Sequence, residues 1–166
     1  WTPSKRMRIR ESRIQSTQLL AQSLSRLAQP PRVLASASAV GFYGNRADER
    51  LQERSPPGSG FLAAVCRDWE EATSPALANG IRVIRMRFGI VLSPVGGALA
   101  KMLPVFRLGL GGIIGSGLQY WSWLTLDDAV RAIEYILMTP SLSGPVNCVA
   151  PQPVTNRKFT KTLGEI

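Results

Sequence analysis

Two apolar segments separated by helical patterns constrain the fold of this chain more than any other feature. The segment RVLASAS, residues 32–38, begins with large apolar side chains and ends in small ones, and IRVIRMRFGIVL, residues 81–92, is a longer apolar stretch. Helical patterns precede, separate and follow them. Largely apolar strands that alternate with helices are typical of a parallel sheet covered on both faces. We therefore expect an α/β fold with a doubly wound parallel sheet.

The helices around these strands are predicted from end signals and apolar spacing. Thr2 and Pro3 form a helix start, because threonine accepts from free amides and proline suits the first turn. Prolines 30 and 31 end that helix. The predicted helices are residues 3–28 with an inner stripe of Leu20, Leu24 and Leu27, residues 60–79, residues 97–106, and residues 125–139 with an inner stripe of Val130, Ile133 and Leu137. Shorter strands are predicted at 117–124 and 145–150, and a last helix from Asn156.

Residue usage excludes several kinds of site. The chain has no histidine, which excludes a Ser-His-Asp triad and a histidine metal site. Cys66 and Cys148 lack metal-ligand spacing, and no apolar run is long enough to cross a bilayer. We see no leader and no disulfide framework, so we expect a reduced, cytoplasmic protein without a membrane partner.

The net charge of +9 allows a polyanionic partner such as nucleic acid. The basic segment KRMRIRESR, residues 5–13, has no interleaved aromatic residues and matches no nucleic-acid motif. A solvated basic surface is therefore the better supported interpretation, and nucleic-acid binding stays the weaker alternative.

The segment SASAVGFYG, residues 36–44, follows the first apolar strand directly. Ligands of open parallel sheets bind at the carboxyl ends of the strands, so Ser36 and Ser38 are candidates to contact a ligand. The alternative is a strand that packs tightly under a helix. In Trp69-Glu70-Glu71 we expect one core residue and two solvated carboxylates. The loop RLGLGGIIGSG has Ile114 where a dinucleotide fingerprint needs glycine, so it is either a pocket rim or a surface loop.

Longer motifs resemble a known family. They are ESRIQSTQLL, SASAVGFYG, ERSPPGSGFLAAVCRDWEEA, GPVNCVAP and the long segment from RFGIVLSPVGG to YWSWLTLDD. Together they resemble the NAD(P)-dependent epimerase/dehydratase proteins, and more narrowly the atypical extended short-chain dehydrogenase/reductases labelled nucleoside-diphosphate sugar epimerase-like. The resemblance implies a Rossmann-type doubly wound sheet. It also implies that residues 1–166 form a partial domain without the N-terminal glycine-rich half and the end of the substrate domain, with about 93–125 and 150–166 on the substrate side.

The resemblance also implies site residues and a cofactor. Ser38 matches a serine or threonine beside the nicotinamide, and would donate a hydrogen bond to the substrate. The other implied cofactor contacts are Arg13, Ser36, Phe88, Gly89, Ile90 and Val91. The implied substrate loop comprises Gly115, Ser116, Gly117 and Gln119. The arginines of the first predicted helix favour NADP as the cofactor, and NAD is the alternative.

One departure from the family pattern leaves the activity open. The Tyr-x-x-x-Lys pair of extended members is absent, because Phe61 and Val65 stand at its positions. Tyr43 is the nearest candidate acid, although the sequence places no cation beside it. Hydride exchange on a sugar-nucleotide-like or other small substrate is one interpretation. A catalytically silent NADP(H) sensor or protein-interaction scaffold is the other, and the oligomeric state is open.

Overall fold

A computed structural model describes residues 2–165, so Trp1 and Ile166, the ends of the predicted partial domain, lie outside the described residues. In chain order the elements are α1 (Pro3–Ser25), β1 (Val33–Ala39), a 3-10 turn (Val40–Tyr43), α2 (Phe61–Glu71), α3 (Ser74–Ala78), β2 (Arg82–Phe88), β3 (Ile90–Ser93), α4 (Gly97–Arg107), β4 (Tyr120–Trp121), β5 (Trp123–Thr125), α5 (Leu126–Met138), β6 (Gly144–Cys148), β7 (Val154–Thr155) and α6 (Asn156–Leu163).

The main sheet has the order β1-β2-β6, and both pairs of strands are parallel. Helices cover both faces. On one face α5 packs against Ile84 and Met86, and on the other α1 and α3 pack against Val83. Because successive side chains of a strand point to opposite faces, β2 contributes to both layers. The predicted α/β fold with a doubly wound parallel sheet is therefore confirmed.

Helix α1 begins as predicted and ends three residues early. The side chain of Thr2 accepts a hydrogen bond from the amide of Lys5, and the helix ends at Ser25. Residues before a proline avoid helical geometry, so Pro30 only sets the latest point at which the helix can end. The predicted inner stripe is wrong for Leu20 and Leu27, which are about half exposed, and Leu24 alone packs against the core beside Ala21.

The predicted helix 60–79 is two helices, α2 and α3. Pro75 lies in the first turn of α3. A proline in a helix interior removes an amide donor and clashes with the carbonyl four residues earlier, so one continuous helix is disfavoured there. The hydroxyl of Thr73 donates to the carbonyl of Glu70 at 2.6 Å and supports the break.

The predicted strand 81–92 is broken at Gly89. A Cβ at Gly89 would lie 2.5 Å from the carbonyl oxygen of Ser122, so this close approach of two backbones requires glycine. Beyond it, β3 pairs with β5 instead of extending the main sheet. The predicted strand 117–124 is also divided. Trp121 in β4 pairs with β7 and stacks on Phe159, whereas Trp123 in β5 pairs with Ile90.

Helix α5 is capped at both ends. The hydroxyl of Thr125 accepts from the amide of Asp128 at 3.1 Å, as the capping pattern predicts. At the other end the Arg82 guanidinium donates to four backbone carbonyls, at Ile136, Leu137, Thr139 and Leu142.

The predicted inner stripe of α5 is partly wrong. Val130 and Leu137 are 57% and 42% exposed, while Ala129, Ile133 and Ile136 face the sheet. The buried face is therefore rotated by one residue from the predicted face. No helix within residues 2–165 is long and apolar enough to cross a membrane.

Candidate functional site

A buried polar cluster lies at the carboxyl ends of the main strands. We call it the Arg87 cluster, and it comprises Ser38, Tyr43, Glu70, Arg87 and Asn147. The guanidinium of Arg87 binds the carboxylate of Glu70 through two hydrogen bonds of 2.8 Å, from Nε to Oε1 and from Nη2 to Oε2. Arg87 is 3% exposed and Glu70 is 7% exposed. Paired, bidentate geometry is what allows two charges to remain buried.

The remaining side of the Arg87 guanidinium is also engaged. Its Nη1 donates to the hydroxyl of Tyr43 at 2.9 Å and to the carbonyl of Glu53 at 3.0 Å. The ring of Phe42 lies 3.5 Å from its central carbon. Burial acts to lower the pKa of Arg87, but the hydrogen bonds that its guanidinium donates to Glu70 and Tyr43 outweigh burial and raise that pKa overall. The cation is therefore held by several independent partners.

The structure corrects the prediction that Glu70 is solvated. Helix α2 turns Glu70 toward the sheet, whereas Glu71 is exposed and accepts from Ser74. Sequence reasoning missed both Glu70 and Arg87. The sequence signal that could have found them is the period-2 alternation of strand side chains in RVIRMRF. It places Arg87 on the same strand face as the buried Val83. An arginine at an inward position requires a buried anion, and a carboxylate on α2 is the natural source.

The hydroxyl of Ser38 is oriented by Glu70. Its Oγ donates to Oε1 of Glu70 at 2.7 Å, and the residue is 4% exposed. A serine hydroxyl has one proton, and an ionised carboxylate only accepts. Ser38 therefore presents lone pairs to any ligand. The expectation that Ser38 donates a hydrogen bond to substrate stays a prediction, because it would require the hydroxyl to leave Glu70.

Tyr43 lies in the 3-10 turn that follows β1 and is 3% exposed. Its hydroxyl donates to Oδ1 of Asn147 at 2.6 Å and accepts from Arg87. The expectation that Tyr43 has no cation beside it is therefore wrong. The hydroxyl already uses its proton within the cluster, so a role as catalytic acid stays a prediction that requires Tyr43 to exchange partners.

The other predicted cofactor residues flank the cluster. Ser36 lies opposite Arg85 in the β1–β2 register and makes only a marginal 3.5 Å hydrogen bond to the carbonyl of Ala37. Phe88 ends β2 and packs toward α5. Gly89 donates its amide to the carbonyl of Cys148, and Ile90 and Val91 continue into β3. The structure thus brings these backbones to the same end of the sheet as Ser38.

Three arginines of α1 lie against α2. The guanidinium of Arg6 lies 5.5 Å from the ring of Phe61, and that of Arg13 lies 5.3 Å from the ring of Trp69. Arg10 forms an ion pair with Asp68. The hydrogen bonds that Arg10 donates to the Asp68 carboxylate lower the pKa of Asp68. Much of the basic segment therefore takes part in helix packing, which weakens the case for a nucleic-acid surface.

The predicted substrate loop is fixed to helix α6. The side-chain oxygen of Asn156 accepts a hydrogen bond from the backbone amide of Ile114 at 2.8 Å. The backbone amide of Asn156 donates to the backbone carbonyl of Gln119. Arg157 binds the carbonyls of Ser116 and Gly117. Gly115, with φ +60°, and Gly117, with φ +73°, permit the turn. Within residues 2–165 no hydrogen bond connects this loop to the Arg87 cluster.

The two thiols are buried and unpaired. Burial raises the pKa of Cys148 to about 11, and the nearby Glu53 contributes. Burial and the charge of Glu70 also raise the pKa of Cys66. Neither thiol is activated as a nucleophile. Among residues 2–165 no group of acidic, cysteine or histidine side chains could hold a metal ion.

Known proteins resemble this chain along nearly its whole length. An epimerase family protein of Mycobacterium bovis is 46% identical over 164 residues, covering 99% of this chain and 54% of that protein. The crystal structure of a nucleoside-diphosphate sugar epimerase from Corynebacterium glutamicum is 43% identical with a TM-score of 0.89, covering 98% of this chain and 35% of that one.

The crystal structure of the human epimerase family protein SDR39U1, with NADPH, is 33% identical with a TM-score of 0.90, covering 99% of this chain and 57% of that one. No family model matches the sequence. The chain spans about half the length of the curated relatives it matches. Identity of this level over the whole sequence, together with a shared Rossmann-like fold, places the chain in the SDR39U1-like epimerase family.

Proposed function

We propose that this chain is part of an NADP(H)-dependent oxidoreductase that exchanges hydride with a hydroxyl or carbonyl carbon. The observation that carries the proposal is the human relative, whose crystal structure has NADPH and whose fold matches this chain with a TM-score of 0.90. Ligands of open parallel sheets bind at the carboxyl ends of strands, and the Arg87 cluster lies at that end. NADP(H) is the proposed cofactor, and NAD(H) is the second choice.

The proposed cofactor contacts follow the geometry of the strand ends. The nicotinamide borders the backbone from Phe88 to Val91 and the small side chains of Ser36 and Ser38. Arg13 serves the phosphate-bearing part of the cofactor, because a guanidinium pairs well with phosphate oxygens. The cofactor would accept hydride from a hydroxyl carbon or donate it to a carbonyl carbon, and the residues of the chain would bind the cofactor, orient it and transfer the proton.

The substrate is proposed to be sugar-nucleotide-like or another small alcohol or ketone. The loop of Gly115, Ser116, Gly117 and Gln119 would face it, and residues 93–125 and 150–166 would form the substrate side. Within the described residues, the β4–β7 pair and the contacts of Asn156 support that grouping. Return of the hydride to the opposite face of the carbon would give an isomerase instead of a net oxidoreductase. A cytoplasmic location stays a prediction from the sequence.

A second candidate function is an NADP(H) sensor without turnover. The positions of the missing Tyr-x-x-x-Lys pair carry this alternative, because Phe61 and Val65 cannot transfer a proton. Tyr43 is buried with both hydrogen-bonding functions of its hydroxyl engaged. A sensor would bind the cofactor and reduce no carbonyl compound.

The test is a fluorescence titration of the full-length protein with NADPH and, in parallel, NADH. We expect micromolar binding of NADPH that the Arg13→Ala substitution weakens roughly tenfold, since a charge-assisted hydrogen bond contributes about 1.5 kcal/mol. Arg131→Ala, an exposed arginine on the opposite face, is the control. Binding of neither nucleotide would contradict the proposal. Binding without oxidation of NADPH by a panel of aldehydes, ketones and keto-sugar nucleotides would favour the sensor.

A further inference from the structure

We infer that Glu70 is the terminal acceptor of the substrate hydroxyl proton, reached through the hydroxyl of Ser38. The inference rests on the proposed hydride-transfer function and assigns the group that replaces the missing Tyr-x-x-x-Lys pair. Phe61 and Val65 lie in the same helix as Glu70, nine and five residues before it. The helix therefore still presents an acid–base group to the sheet, but from another position.

The geometry provides one path for the proton. Ser38 Oγ donates to Oε1 of Glu70 at 2.7 Å, a short bond between an alcohol and a carboxylate. Because that bond uses the only proton of Ser38, its free lone pairs can accept from a substrate hydroxyl. Ser38 would touch the substrate and act as the catalytic residue. Glu70 would act through Ser38, as a positioning residue that also stores the proton.

The step balances in atoms and electrons. The substrate C–H bond breaks and its electron pair leaves with the hydrogen for C4 of the oxidised nicotinamide, which is reduced. The substrate O–H proton passes to Ser38 Oγ, and the proton of Ser38 passes to Oε1 of Glu70. The alcohol becomes a carbonyl compound. The stored proton returns by the same path when hydride transfers back, or leaves to solvent after product release.

The ion pair with Arg87 does not prevent Glu70 from accepting a proton transiently. A buried guanidinium left alone would strongly oppose neutralisation of its partner. Arg87 keeps two other oxygen acceptors, on Tyr43 and Glu53. Its central carbon also lies 3.5 Å from the ring of Phe42, whose π face stabilises a desolvated cation. The cation therefore stays partnered while Glu70 is neutral.

The experiment uses full-length protein, NADP+ and secondary alcohols, with NADPH and the matching carbonyl compounds in the reverse direction. We expect Glu70→Gln to lower kcat by about 100-fold or more, the usual size of an acid–base contribution, while the KM and the affinity for NADP+ change little. The rate of alcohol oxidation should fall toward acid pH in the wild type, and this acid limb should be absent in Glu70→Gln. Glu71→Gln makes the same change at an exposed neighbour and is the matched control.

Ser38 variants keep the test decisive if Glu70→Gln folds poorly. Ser38→Ala leaves the Glu70–Arg87 pair in place and should lower kcat by a similar factor, and Ser38→Thr, which keeps a hydroxyl, should restore much of it. Near wild-type turnover by Glu70→Gln with the acid limb intact would overturn the inference, as would activity lost only in Tyr43→Phe. Nucleotide binding without turnover of any alcohol would overturn the proposed reaction together with this relay. Failure to bind either nucleotide would overturn the cofactor assignment itself.

Discussion

The two faces of the β1-β2-β6 sheet differ sharply in chemistry, although the same strands form both. On the α5 face, β2 contributes Ile84, Met86 and Phe88 to an apolar core. On the opposite face, Val83 packs against α1 and α3, but Arg85 and Arg87 follow it toward the carboxyl end of the strand. One face is stabilised by burial of apolar area, and the other depends on satisfied polar contacts near the proposed site.

This difference teaches where the fold tolerates change. An apolar core loses stability in proportion to the atoms removed and the cavity left behind. A buried polar cluster behaves differently, because loss of one partner leaves a charge or a donor buried, with neither a protein partner nor water to bind. We therefore expect single substitutions to destabilise the protein more in the Arg87 cluster than in the α5 core. Replacement of both members of the Glu70–Arg87 pair by apolar residues should be tolerated.

The largest predicted effect is that of Arg87→Leu. Removal of the guanidinium leaves the Glu70 carboxylate buried without its cation, which should cost about 3–5 kcal/mol of the free energy of unfolding. The double variant Arg87→Leu/Glu70→Leu should recover much of that loss. Denaturant unfolding of full-length protein measures both, with Arg131→Leu as an exposed control expected within about 0.5 kcal/mol of wild type. A double variant as unstable as the single one would contradict this account.

On the apolar face, Ile136→Ala should cost about 3 kcal/mol, since Ile136 is 2% exposed and its truncation leaves a cavity. The neighbouring Leu137→Ala, at a side chain 42% exposed, is the matched control and should cost much less. NADPH affinity should be unchanged in Ile136→Ala, because α5 lies across the sheet from the Arg87 cluster. Weaker NADPH binding in Ile136→Ala would mean that the two faces are coupled.

The sequence predicted the architecture well because the architecture depends on local patterns. Apolar runs gave the parallel strands, and Thr2, Thr125 and the prolines gave the helix ends. The breaks at Gly89 and Pro75 were missed for opposite reasons. Pro75 carried a local signal that was overlooked, whereas Gly89 is needed because Ser122, distant in sequence, approaches its backbone.

The candidate site was predicted in part. The motif SASAVGFYG led to Ser38 and Tyr43, and both lie in one buried cluster. The sequence could not show their hydrogen-bond directions, because these depend on Glu70 and Arg87, 32 and 49 residues beyond Ser38. Glu70 was read as solvated since helical patterns alone give only an approximate face, and α2 turns it inward.

Alkaline pH should separate the two buried thiols. Burial holds the pKa of Cys148 at about 11 in the folded protein, against 9.0 for an ordinary thiol. The folded state therefore keeps a proton that the unfolded state loses above pH 9. The contribution of Cys148 to the free energy of unfolding is complete below pH 9 and is lost between about pH 9 and 11. Two pKa units correspond to roughly 2–3 kcal/mol. Between pH 9 and 11 the free energy of unfolding of Cys148→Ala should fall less steeply than that of the wild type. Cys66→Ala should still lose the part of the stability that depends on Cys148.

The smallest effect is expected at the exposed counterpart of the Arg87 pair. Arg10 and Asp68 are also 2.8 Å apart, but their side chains are 53% and 26% exposed. Solvent competes for both charges, so Arg10→Ala should cost below about 1 kcal/mol, and 1 M salt should remove even that. The hydrogen bond from Arg10 lowers the pKa of Asp68. Its contribution is therefore present above the unfolded pKa of the carboxyl group and is lost as the pH falls through the folded one. A cost equal to that of Arg87→Leu would show that arginine–carboxylate geometry, and not burial, sets the difference between the two pairs.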